Sequence, residues 1–219
     1  MNGPATGIEV EARALEKTVD FVVLPEERGM AGLSGSLHME LRQDASPGIM
    51  KVPEDRVIHS MLHLWSRGMR SVGALLGATL EEERLRGNTG GVSLLGELEL
   101  YDPDSIFGRP ELCVISKWGL NWSALPDRLT VGYQDRYESI SREYISGLVS
   151  GGFEVDIVPI KGCLGDRPDL NDLDLAIGIL CRGAVLEKNG MWPIDRIWDQ
   201  GPVLITIDGI RSPISRWPS

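Results

Sequence analysis

Residues 174–190 read Asp174-Leu-Ala-Ile-Gly-Ile-Leu-Cys-Arg-Gly-Ala-Val-Leu-Glu-Lys-Asn-Gly190. From Asp174 to Leu180 the stretch is almost continuously apolar, the pattern of a strand covered on both faces of a parallel sheet. A turn follows at Cys181 to Val185, and the composition predicts a short helix from Gly183 to Gly190. A loop that leaves the carboxyl end of a parallel strand and feeds a helix N-terminus is a natural cradle for an anionic group. Its backbone N–H groups serve whatever side chains it carries, and Gly183 permits close approach.

The segments around this stretch keep the same rhythm. Leu112 to Ser116, Leu129 to Tyr133 and Phe153 to Ile157 read as strands, and Val203 to Ile207 as a last one. A helix is predicted from Glu138 to Val149, burying Ile140, Tyr144, Ile145 and Leu148 and ending at Gly151-Gly152. In the first half, the run Asp20 to Leu24 is a strand stopped by Pro25. Pro53 to Arg67 is a helix with Val57, Met61, Leu64 and Trp65 on one face. Val72 to Leu76 is a strand and Gly77 to Arg86 a short acidic helix, followed by a flexible loop at 86–91. Residues 1–12 read as a mobile tail, and 29–50 define no element. This β-α-β-α-β order specifies an α/β fold with mainly parallel strands. No internal repeat is visible.

Composition narrows the function. The 219 residues are 42% hydrophobic and 25% charged, as in an ordinary globular protein, with ample core for independent folding. A net charge of -10 argues against a nucleic-acid binder, which carries a basic face, but leaves room for a small anion held by one or two arginines. No apolar run is long enough for a membrane helix, and the acidic start of the chain is unlike a secretory signal. Cys113, Cys163 and Cys181 lack metal-ligand spacing and read as reduced thiols of a cytoplasmic protein. His59 and His63 stand four apart, a spacing that can bind metal. They face away from the apolar stripe, and no third ligand is near, so a solvated face is the better account.

From Arg128 onward the sequence resembles a family. The pieces are Arg128-Leu-Thr-Val-Gly-Tyr133, the helix with Arg142 and Tyr144, Val155-Asp-Ile-Val-Pro-Ile-Lys-Gly162, and the 174–190 stretch. Together they resemble the second lobe of the short-form ATP phosphoribosyltransferases, the enzymes that open histidine biosynthesis. Val23-Leu-Pro25 with Arg28-Gly29, and Gly68 to Gly73, are fainter likenesses in the first half. The resemblance implies a periplasmic-binding-protein type II-like fold: two α/β lobes with mainly parallel sheets around a central cleft. Lobe one would hold residues 1–111 with 196–219 returning to it, and lobe two residues 112–195. The implied ligands are phosphoribosyl pyrophosphate, carrying Mg2+, and ATP or another anionic small molecule. A homo-oligomer is implied, with a separate regulatory subunit as an optional partner.

By the same resemblance the substrate-binding residues are Arg28, Tyr133 and Asp174 together with the loop Cys181, Arg182, Gly183, Ala184 and Val185. Several positions depart from the family's pattern. Its second Asp, expected to hold ribose hydroxyls, is Gly178, and its Pro is Gln134. The hydroxyl residues of the loop become Cys181, Arg182 and Val185; the opening Lys-Gly-Arg becomes Glu26-Glu27-Arg28; Ser71 replaces an acidic residue. Bland alternatives stand beside the functional ones. Asp174 can cap a neighbouring donor, Arg182 can be a solvated loop residue, and Arg28 can pair with Glu26 or Glu27. Three functions therefore fit: the family's own transfer reaction, an enzyme repurposed for another substrate, and a non-catalytic small-molecule-binding subunit.

Overall fold

The apolar run before Pro25 forms strand β1 (Phe21–Pro25), in which Val22, Val23 and Leu24 are fully buried. The computed structural model of the protein describes residues 19–26, 47–98, 105–117, 122–164, 170–180, 186 and 190–207. They divide into two compact units: one of residues 1–77, 89–100 and 201–219, the other of 78–88 and 101–200.

In the first unit β1 pairs in parallel with β2 (Gly48–Val52) and β3 (Ser71–Leu76). On the far side of β3 lie β10 (Pro202–Ile207) and then β4 (Val92–Glu97), both joined antiparallel, giving the order β2-β1-β3-β10-β4. Helix α1 (Val57–Ser66) turns Val57, Ile58, Met61 and Leu64 onto the sheet. Trp65, expected in that stripe, is instead 40% exposed, because the narrower 57/58/61/64 face suffices to cover β3. His59 and His63 are exposed, as their place opposite the stripe predicts. Glu54 is buried just before α1, where its Oε1 accepts the N–H of Leu76 at 2.7 Å and closes the end of β3.

The second unit repeats this plan. Strand β6 (Arg128–Gln134) pairs in parallel with β7 (Glu154–Ile160) and β8 (Leu175–Leu180). Strands β5 (Glu111–Ser116) and β9 (Trp192–Trp198) add antiparallel, giving β7-β6-β8-β5-β9. One face of this sheet packs Leu112, Val114, Leu175 and Ile177 against α3 (Glu138–Ser150). The opposite face packs Cys113, Ile115, Ala176 and Leu180 against Leu164, Leu170 and Met191.

The α/β class agrees with the sequence, and the details differ in three ways. Each sheet is mixed, not mainly parallel: β5 and β10 are buried at all six positions, so their continuous apolar runs look like parallel core strands although both run antiparallel. The two sheets share one strand plan that no sequence repeat announces. Residues 78–88, the body of helix α2 (Gly77–Leu85) and its end, belong to the second unit, whereas the sequence suggested a first lobe of 1–111. Two contacts hold α2 there: Thr79 Oγ1 lies 3.1 Å from the Tyr137 hydroxyl, and the Glu82 carboxylate accepts two amides of α3.

Candidate functional site: the carboxyl ends of β6 and β8

In open α/β sheets ligands gather outside the carboxyl ends of parallel strands, where the order reverses. In the second unit that is the end marked by Gln134 on β6, Ile160 on β7 and Leu180 on β8. Cys181, Arg182, Gly183, Ala184 and Val185, which leave β8 at this end, lie outside the described residues, as does Arg28. Their flanks are described: Leu180 and Leu186 are 5% and 4% exposed and pack in one apolar cluster. The N–H of Met191 bonds to the carbonyl of Leu186 at 3.0 Å, fixing the return of the chain.

The structure does not bring Tyr133 and Asp174 together. Tyr133 is buried against the α3 side of the sheet, with the Arg142 guanidinium 6.0 Å from its ring centre. Burial, and then the Glu138 carboxylate, raise the pKa of its hydroxyl. Asp174 precedes β8 and so stands at its amino end, about 20 Å from Leu180 at ~3.3 Å per residue. There its carboxylate accepts the N–H of Thr130 at 2.9 Å and lies 3.4 Å from Lys117 Nζ, while its own N–H bonds to the Thr130 carbonyl. The arrangement is that of a strand clasp.

At the carboxyl end, two departures from the family pattern turn out to be one feature. Gln134 is 4% exposed, and its amide links three elements: Oε1 accepts the N–H of Ile179 at 2.7 Å, and Nε2 donates to the carbonyl of Gly162 at 2.8 Å. A side chain at 178 would project into the same space. A Cβ there would sit 2.5 Å from Leu164 Cδ1 and 2.6 Å from Gln134 Oε1, so a side chain at 178 would require both of these side chains to shift. Where the resemblance leads one to expect an aspartate, Leu164 and the Gln134 amide occupy the space beside residue 178.

The amino end of α3 is filled in a similar manner. Glu82 is 1% exposed, and its Oε1 and Oε2 accept the N–H groups of Ser139 and Ile140 at 2.9 and 3.0 Å. Arg86 Nε lies 2.9 Å from Glu82 Oε1. The positive end of the helix is thus balanced by the chain's own carboxylate.

A cationic cluster stands beside Leu180. Glu111 is opposite Leu180 in the β5–β8 register and is 2% exposed. Arg109 Nε lies 3.3 Å and Arg196 Nη1 3.4 Å from its carboxylate. Sequence reading singled out none of Gln134's contacts, Glu82, Arg109 or Arg196. The i,i+4 spacing of Glu82 and Arg86 was the one available signal, and it reads equally well as a surface pair.

Next to Arg196 in the register lies Cys113, whose thiol pKa is pushed up to about 12, first by burial and then by Glu111. Of the two described cysteines, exposed Cys163 is expected to be labelled by a thiol reagent in the native protein. Cys113 is expected to react only on unfolding. Peptide mapping after timed labelling checks this, and early labelling of Cys113 would contradict its burial.

With two mixed sheets of one strand plan, the chain has the two-lobed α/β fold of periplasmic-binding-protein type II-like proteins, and more narrowly an ATP phosphoribosyltransferase-like fold. No protein-family model matches it. Over 85 residues it is 29% identical to an ATP phosphoribosyltransferase of Thermococcus gammatolerans, a match covering 38% of this chain and 40% of that relative's length. Among solved structures it is similar to the ATP phosphoribosyl transferase (HisG:HisZ) complex from Thermotoga maritima, with a TM-score of 0.55 at 16% identity, covering 87% of this chain and 88% of that one. It is also similar to the periplasmic aliphatic sulphonate binding protein SsuA from Escherichia coli, with a TM-score of 0.54 at 12% identity, over 86% of this chain and 61% of that one. At such identities the structural likenesses establish the fold alone.

Proposed function

We propose that the protein is a phosphoribosyltransferase-like enzyme that binds phosphoribosyl pyrophosphate at the carboxyl end of β8 and transfers its ribosyl phosphate to a purine nucleotide. What carries this reading is the convergence of two likenesses. The partial sequence match and the near full-length structural match both name an ATP phosphoribosyltransferase. In the reaction a ring nitrogen of the nucleotide forms a bond to the anomeric carbon as the bond from that carbon to pyrophosphate breaks. Such chemistry asks for positioning and charge neutralisation more than for a nucleophilic side chain. Magnesium would travel on the pyrophosphate as part of the substrate. Among the described residues no three His, Cys, Asp or Glu side chains gather into a metal cage. A cytoplasmic homo-oligomer, assisted by a regulatory subunit, belongs to the same reading.

A second reading has its own observation. Gln134 fills the space a side chain at 178 would need, and this favours the same scaffold serving a different anionic substrate, or serving as a small-molecule-binding subunit.

Calorimetric titration with phosphoribosyl pyrophosphate and magnesium, followed by a turnover assay with ATP, tests the first reading. Micromolar binding that Arg182→Ala abolishes is the expected result. A folded protein that binds nothing in this titration would overturn the transferase reading for the isolated chain and turn the search to other anions.

A further inference from the structure

We propose that Arg196, assisted by Arg109, is the cationic wall of an anion site at the carboxyl end of β8, suited to a phosphate or pyrophosphate group. The inference rests on the reading that this end of β8 is the ligand end, and it names residues that the resemblance does not.

The argument starts from charge. Two guanidiniums share one buried carboxylate, Glu111, so the three side chains carry a net +1 in a chain whose total is -10. Arg109 is the more committed of the two: it also donates to the backbone carbonyl of Asp199. Arg196 is the more available. It is 53% exposed, and its contact with Glu111 is long, at 3.4 Å. Glu111 is buried, but the Arg196 guanidinium itself is half exposed and keeps N–H groups towards water. The nearest other carboxylate in sequence, Asp195, accepts from Tyr144 at 2.9 Å on the α3 side and from the Arg196 amide.

Position supports the same conclusion. The Arg196 guanidinium lies over the Phe107 ring, 5.4 Å from its centre, a contact that favours the cation without using its N–H groups. Phe107 packs in the apolar cluster that contains Leu180 and Leu186. These two residues flank the stretch leaving β8, so Arg196 stands over the apolar cluster to which both flanks belong. A planar guanidinium over an aromatic ring, with N–H groups towards water, suits bidentate recognition of phosphoryl oxygens.

Titration of the full chain with inorganic pyrophosphate, followed by calorimetry, tests the proposal. Arg196→Ala is expected to weaken binding at least about tenfold, the consequence of losing one charge-assisted hydrogen bond. Arg109 still covers Glu111 in that variant, so the fold is expected to persist, and far-UV circular dichroism checks it. Glu111→Gln, which removes the internal counter-anion, is expected to tighten binding. Arg128→Ala, which breaks an exposed pair with Asp156 at the amino end of β6, is expected to change nothing. Equal affinity in wild type and Arg196→Ala, or no binding by wild type, would overturn the site. Arg196-dependent binding of pyrophosphate without any transfer from phosphoribosyl pyrophosphate to ATP would uphold the site and remove the transferase reading.

Discussion

Gly178→Asp, which puts in place the aspartate that the resemblance leads one to expect, is expected to destabilise the protein by about 3–5 kcal/mol. The space is already taken. A Cβ at 178 would come within 2.5 Å of Leu164 Cδ1 and 2.8 Å of Leu164 Cγ, where real atoms do not approach. The carboxylate beyond it would meet Gln134 Oε1, an acceptor, so the new charge would be buried beside a repulsive partner. Overpacking alone costs about 1–3 kcal/mol, and a buried unpaired charge adds more. Urea unfolding measures the loss. The mechanism makes a second demand: Gln134→Ala opens the space, so Gln134→Ala/Gly178→Asp is expected to lose less than the sum of the single variants. Strict additivity, or a Gly178→Asp protein as stable as wild type, would show that Gln134 and residue 178 do not compete.

That pair marks where the sequence stopped being informative. In the second unit β5, β6, β8 and α3 were legible from continuous apolar runs and a 3.6 period, and α3 and β8 emerged within a residue or two of expectation. Strand direction was not legible. A run buried on both faces, such as Pro202–Ile207, has the same composition whether its neighbour runs with it or against it. Strands β2, β4 and β9 escaped notice because they have few buried positions; β2 and β9 have none and β4 two, so no apolar period announces them. Site residues were least legible. Asp174 has the residue type of a ligand, and it meets the Thr130 amide of β6 and Lys117 just past the end of β5. Glu111 and Arg196 are 85 residues apart and meet only because β5 and β9 pair.

Removing the carboxylate of Glu82 is expected to be as damaging as filling Gly178, although Glu82 lies in the acidic run Glu81-Glu82-Glu83, which sequence alone would assign to solvent. Helix α3 begins after Tyr137, which supplies no side-chain cap, so the amides of its first turn need an outside acceptor. Glu82 supplies both oxygens, to Ser139 and Ile140, from inside the second unit. Arg86 then ties its Nη2 to the carbonyls of Asp135 and Arg136, so α2 is fastened to both sides of the start of α3. Each hydrogen bond to a charged acceptor is worth about 1.5–3 kcal/mol, so losing the two is expected to cost Glu82→Ala about 3–6 kcal/mol in total. Glu82→Gln keeps one acceptor oxygen and is expected to lose roughly half of that. Chemical denaturation gives the totals, and hydrogen exchange at Ser139 and Ile140 gives the site, with faster exchange there than in the last turn of α3. A Glu82→Ala loss below about 1 kcal/mol would mean that water replaces the cap without penalty. The cap also bears on ligands: because Glu82 already balances the positive end of α3, that helix end offers little to the anion of the proposed reading.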